Sequence, residues 1–201
     1  MSSLRHILKY LRSTTDRGIT FKGNEQQELI GYSDSDFASG RTDRISILGH
    51  VFMLAGGPVS WMSKKQKSVA TSTMDAEYMA MCSAAKQSQW LALVLREIGL
   101  ASAIGESKFK PTIKEGTRFL IGSPTLVRGD NQAALTLARD AQITDRSKHI
   151  DVAYHYQRDL IKRGRLQVEF IGTSDMIADG LTKPLTKGPF ERFLRLLGMT
   201  H

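Results

Sequence analysis

The chain has 201 residues and a formal net charge of +8, from 28 Lys and Arg against 20 Asp and Glu. The length fits one α/β domain with appendages, and an apolar share of 41% excludes a disordered or collagen-like chain. No run approaches the about 20 apolar residues that cross a bilayer, the start lacks a signal-peptide core, and a single cysteine, Cys82, excludes a disulfide framework or a zinc site of several thiolates.

In chain order, Leu4, Ile7, Leu8 and Leu11 with Arg5, Lys9 and Arg12 between them predict a short basic amphipathic helix over 4–12, ending near Gly18. Leu29 to Ser33 reads as a first strand that breaks at a cluster of Asp and Ser. Residues 45–54 and 58–63 are β-rich on either side of Ala55-Gly56-Gly57-Pro58, which predicts a hairpin and three antiparallel strands in sequence. Thr71-Ser72-Thr73 offers N-cap residues for a long helix running to Gly99. Residues 101–124 have no clear periodicity and read as a long loop. A strand over Thr125–Arg128 then leads to a short helix over Gln132–Arg139, a helix over His149–Lys162, a strand over Leu166–Ile171, a short helix over Ser174–Leu181 and a terminal basic helix over Phe190–Leu197. The antiparallel start followed by βαβ crossovers implies an α/β fold, one mixed sheet flanked by helices.

The acids stand out against these elements. Asp34 falls at the end of the first predicted strand, Glu77 one turn into the long helix, Asp130 at the C-terminal end of a later strand and Asp179 inside the short helix near the end. In α/β folds the C-terminal strand ends gather ligand-binding groups, so four acids from four elements can meet at one sheet edge. Carboxylates that converge stay ionised together only around a cation, and Mg²⁺ prefers such hard oxygen ligands. Two ions in such a site activate water and stabilise the leaving oxygen in phosphodiester cleavage, which matches a basic chain suited to a polyanion. Taken singly each acid has an ordinary use: Asp34 and Asp36 as turn formers, Glu77 and Asp75 as charges near a helix N-terminus, Asp130 as a helix cap.

Five blocks, GYSDSDFAS, SWMSKKQKSVATSTMDAEYMAM, RGDNQAALTLA, DRSKHIDVAYHYQRDLI and IADGLTKPL, resemble in this order the ribonuclease H region of copia-type retrotransposon polyproteins, over roughly residues 28–198. The resemblance implies an RNase H-like fold with a mixed five-stranded sheet. It implies cleavage of the RNA strand of an RNA–DNA hybrid with two Mg²⁺ ions, for which Mn²⁺ substitutes, and it places the catalytic and metal-holding acids on Asp34, Glu77, Asp130 and Asp179. It also implies that residues 1–27 are the connection from a reverse transcriptase polymerase domain, that 28–201 form the RNase H-like domain with a long loop at 101–124, and that the protein works inside the cell, in a cytoplasmic particle or the nucleus. The family's His just upstream of the last acid has no counterpart here, where Phe170 and Ile171 stand. The hybrid is expected to be read through its minor groove and 2′-hydroxyls, nearly blind to sequence.

Two rival readings accompany this one. A catalytically inactive nucleic-acid-binding remnant of a retroelement is opposed by the presence of all four acids. A transposase or integrase core is opposed by their order and by the lone cysteine. Among other residues, His149 reads as a helix-start residue and Asp151 with His155 as a local ion pair. Trp61 and Trp90 read as core aromatics, and Met74, Met79 and Met81 as helix packing. Lys64, Lys65 and Lys67 form a basic run that suits either solvent or a nucleic-acid backbone.

Overall fold

The computed structural model describes residues 2–21, 28–39, 44–100, 124–139 and 151–200. The expected long loop lies outside these apart from Pro124, as do Lys148 and His149. The elements are α1 (Ser2–Ser13), β1 (Gly18–Ile19), β2 (Ile30–Asp36), β3 (Ile47–Leu54), β4 (Gly57–Lys65), α2 (Thr73–Glu97), β5 (Thr125–Gly129), α3 (Gln132–Arg139), α4 (Asp151–Lys162), β6 (Leu166–Phe170), α5 (Asp179–Thr182), α6 (Lys187–Leu196) and β7 (Met199–Thr200). No helix among the described residues is long and apolar enough to cross a membrane.

The main sheet has five strands in the order β4-β3-β2-β5-β6. β2, β3 and β4 are antiparallel neighbours, while β5 pairs parallel to β2 and β6 parallel to β5. The expected mixed sheet, three antiparallel strands then parallel ones, is therefore present. Hairpins join the antiparallel part, whereas α2 supplies the crossover that a parallel β2–β5 pair requires. Ala55 and Gly56 both take positive φ, 51° and 82°, and Leu54 pairs with Gly57, so the β3–β4 turn is a two-residue hairpin loop of the kind whose twist matches the strands. Pro58 sits within β4, which is possible because β4 is an edge strand.

Ser72 caps α2 by accepting the Asp75 backbone N–H at 3.1 Å, and Gly99 at φ +80° ends it, with Leu100 N–H donating to Leu95 carbonyl oxygen at 2.7 Å. Small residues Ala76, Ala80, Ala84 and Ala85 are buried, which lets this long helix lie close to the sheet. The core forms between the sheet and α2, α3 and α4 around Phe52, Tyr78, Met81, Leu91, Val127, Leu135, Leu160 and Val168. α5 packs against the other side of the antiparallel strands, where Gly49 of β3 faces Leu181 and Thr182. The opening segment docks near the chain's other end: Tyr10 meets Phe190 edge-on at 6.0 Å and β1 pairs with β7.

Three expectations need correction. The first strand does not break at its acids; β2 runs through Asp34 and Asp36 because its backbone pairs with Gly49, Leu48 and Ile47 of β3. The single helix expected over 174–181 is split into a 3₁₀ turn, Thr173–Asp175, and α5, because Met176, Ile177 and Ala178 plug the interior in between. Trp61 and Trp90 are not core aromatics, being 62% and 55% exposed. Ser60 faces α2, bonded to Gln87 at 3.0 Å, so its strand neighbour Trp61 points the opposite way. On α2, Leu91 and Leu95 take the inward stripe that excludes Trp90.

Candidate metal centre

Parallel pairing of β2 and β5 sets their C-terminal ends side by side, so Asp34 of β2 and Asp130 immediately after β5 emerge at the same edge. Asn131, not Asp130, caps α3: its side chain accepts the Ala134 backbone N–H at 3.0 Å, which leaves the Asp130 carboxylate free to face the site. β6 leaves the sheet beside β5, and the hydroxyl of Thr173 donates to Asp130 Oδ2 at 2.8 Å. α5 then returns over β3 and brings Asp179. One carboxylate oxygen each from Asp34, Asp130 and Asp179 lie within 4.8 Å of one another.

Glu77 stands behind this trio, at the buried start of α2. Its Oε1 accepts the Ser35 backbone N–H at 3.3 Å, which ties the helix to the strand carrying Asp34. Next to it Gln66 donates to Ala76 carbonyl oxygen at 2.9 Å, and the exposed Lys64, Lys65 and Lys67 surround Gln66 at the end of β4. Asp75 serves the helix start instead, where Thr71 donates to its carboxylate.

The electrostatics follow from burial. Asp34 is 1% exposed. Burial pushes its carboxyl up to about 6, helped by the charges of Asp179 and Asp130 and opposed by the Thr182 hydroxyl, which donates to Oδ2, and by Lys183. Burial likewise drives Glu77 up to about 9, with Asp34 and Asp130 adding repulsion that the Ser35 N–H and Lys183 only partly offset. Lys183 answers this charge: its Nζ lies 2.7 Å from Asp179 Oδ1 and 3.9 Å from Asp34 Oδ2. Burial alone would lower the lysine, but the bond to Asp179 and the surrounding carboxylates raise it.

This donor set fits a hard divalent cation. Asp34 and Glu77, which burial and neighbouring carboxylates push toward the neutral form, are the kind of acid that a cation restores to charge, and the converging ligand atoms of Asp34, Asp130 and Asp179 are all carboxylate oxygens. Asp34, Asp130 and Asp179 offer the oxygens, and Glu77 is the neighbouring acid. Four residues that build the site escaped the sequence reading: Gly49, Thr173, Thr182 and Lys183. For Lys183 a signal existed, since Asp179 and Lys183 are four residues apart, the spacing of a helical ion pair. The side chain of Asp151 lies outside the described residues, and His155 is on α4.

The chain is 32% identical over 201 residues to the Retrovirus-related Pol polyprotein from transposon RE1 of Arabidopsis thaliana, covering 100% of this chain and 12% of that one. It is 36% identical over 197 residues to the Retrovirus-related Pol polyprotein from transposon TNT 1-94 of Nicotiana tabacum, covering 98% of this chain and 13% of that one. The chain thus spans a small part of the length of the curated relatives it matches. Among solved structures it resembles an RNase H1 isolated from compost by a metagenomic approach, with a TM-score of 0.51 and 15% identity over 77% of this chain and 92% of that one, a likeness of fold. No family model matches the chain.

Proposed function

Because this chain is homologous along its length to retrovirus-related Pol polyproteins of copia-type transposons and has an RNase H-like fold, we propose that it is a retrotransposon ribonuclease H that cleaves the RNA strand of RNA–DNA hybrids. The observation that carries the reading is the convergence of Asp34, Asp130 and Asp179 oxygens within 4.8 Å at the C-terminal edge of two parallel strands. We assign Asp34, Glu77, Asp130 and Asp179 as the residues that hold Mg²⁺, with Mn²⁺ as a substitute. When bound, a pair of such ions supplies an activated water and neutralises charge on the leaving oxygen.

The chain's own residues do the positioning. Thr182 fixes the Asp34 carboxylate and Thr173 that of Asp130, so two of the acids keep their orientation through hydroxyl donors. The Ser35 N–H holds Glu77 against the same strand. Lys64, Lys65 and Lys67, exposed beside this edge, are placed to neutralise phosphates of a bound hybrid. Recognition of RNA rests on its 2′-hydroxyls and minor-groove shape rather than on base sequence. A polymerase domain of the same longer polyprotein is the partner this reading assigns, inside the cell.

The test is cleavage of a labelled RNA–DNA hybrid by the purified chain with Mg²⁺ or Mn²⁺, beside single-stranded RNA and DNA-duplex controls and the Asp34→Asn and Asp130→Asn variants. Cutting confined to the RNA strand of the hybrid and lost in both folded variants supports the assignment. Residual cutting by the Asn variants would place the chemistry elsewhere, and hybrid binding without cutting by the wild type would leave a binding remnant.

A further inference from the structure

We propose that Lys183 is a built-in cation of the carboxylate cluster, competing with divalent ions for Asp179 and Asp34 and setting how tightly the site binds them. This rests on the metal-holding part of the function reading and concerns a residue that reading does not use.

The backbone places this lysine. Lys183 follows the last turn of α5, its N–H donates to the Asp179 carbonyl oxygen at 3.0 Å, and its own φ and ψ are extended, −127° and 145°. Pro184 comes next, and a residue before proline is driven to the extended region, so the helix stops here. The ammonium then lies 2.7 Å from Asp179 Oδ1 and 3.9 Å from Asp34 Oδ2. Asp34 and Asp179 also contribute oxygens to the convergent trio, so lysine and metal draw on the same two carboxylates. Other acids crowd the same place: Asp130 belongs to the trio, and Glu77 lies close enough to feel Asp34, Asp130 and Lys183.

Such a residue has two effects of opposite sign. Without divalent ions it offsets repulsion among the acids and holds α5 on the sheet. With divalent ions it must give up Asp179, and its charge then repels the incoming cation. The affinity penalty from one unit charge a few ångströms from a divalent ion is at least about tenfold even at the dielectric of bulk water.

The experiment measures Mn²⁺ binding, by electron paramagnetic resonance of the free ion, for the wild type, Lys183→Met, Lys183→Arg and Asp130→Asn, with metal-free thermal midpoints for each. Lys183→Met is expected to bind Mn²⁺ at least about tenfold more tightly than the wild type. Its metal-free midpoint is expected to fall, recovering when Mn²⁺ is added. Lys183→Arg keeps the charge and is expected to stay near the wild type in both readouts, which a purely space-filling role would not produce. Folding of Lys183→Met only in the presence of Mn²⁺ supports the proposal as well. Equal or weaker Mn²⁺ binding by Lys183→Met, with the wild type binding and Asp130→Asn impaired, overturns the role of Lys183 and leaves the metal centre standing. Wild-type binding unaffected by Asp130→Asn, or no binding by the wild type and Lys183→Met alike, removes the metal centre and this proposal with it.

Discussion

Gly49 on β3 lies directly across the ladder from Asp34 on β2, and a Cβ at position 49 would fall 2.8 Å from Thr182 Cγ2, 3.0 Å from Leu181 Cβ and 3.3 Å from the Ala178 carbonyl oxygen. The missing side chain is the space through which α5 reaches the strand, so that Thr182 bonds to Asp34 and Asp179 joins the cluster.

Gly49→Ala is therefore expected to push α5 outward. An overpacked contact of this kind destabilises by about 1–3 kcal/mol. Urea denaturation should show the loss and Mn²⁺ titration a weakened site. Adding Thr182→Ser, which deletes the obstructing methyl and keeps the hydroxyl, should restore part of both. Full retention of stability by Gly49→Ala would show that α5 is not held by this approach.

The buried acids give the metal-free protein a pH dependence whose sign is fixed. The Glu77 carboxyl keeps its proton up to about 9 in the folded chain, against an ordinary 4.5, so unfolding releases a proton between those values and stability falls as pH rises through them. Asp34, moved from 3.8 to about 6, adds a fall of the same sign over its narrower range. One proton corresponds to at most about 1.4 kcal/mol per pH unit. Thermal midpoints measured in chelator between pH 6 and 9 should decline in the wild type and be nearly flat in Glu77→Gln; a rising wild-type curve would show that Glu77 is ionised in the fold.

Asn131 caps α3 and so frees the neighbouring Asp130. Asn131→Ala should destabilise the chain by about 1 kcal/mol and Asn131→Ser by clearly less, because serine still accepts the helix N–H. Hybrid cleavage by the alanine variant should drop at temperatures where it remains folded, since the residue bearing Asp130 is no longer anchored. Unchanged denaturation midpoints for both would remove the cap from the argument.

The placement of the aromatics separates the two tryptophans from the core. Phe52→Ala, at a fully buried position, should cost about 3–5 kcal/mol, whereas Trp90→Ala on the exposed side of α2 should cost under about 1 kcal/mol. Chemical denaturation of the two variants checks the ranking directly.

Local periodicity and turn chemistry made most elements legible. The Ala55-Gly56 turn marked the hairpin, Ser72 and Gly99 bracketed α2, and alternation marked β6, because each of these signals lies within a few residues of the structure it specifies. The elements that carry Asp34, Glu77 and Asp130 were legible for the same reason, whereas Asp179, expected inside a helix over 174–181, instead begins α5.

What the tertiary structure alone decided depends on residues far apart in the chain meeting. The ladder to β3 carries β2 through its acids, against the local turn preference of Asp and Ser. Thr182 reaches Asp34 across 148 residues, and Thr173 reaches Asp130 across 43. Trp61 and Trp90 look like core residues by composition, yet the pleat and the helix turn them outward. The sequence by itself determined which side chains are acids and roughly where along the chain's elements they fall. Strand order, register and the glycine gap at position 49 determined that three of those acids share one cation's reach, that burial holds the Glu77 proton, and that Lys183 stands among them.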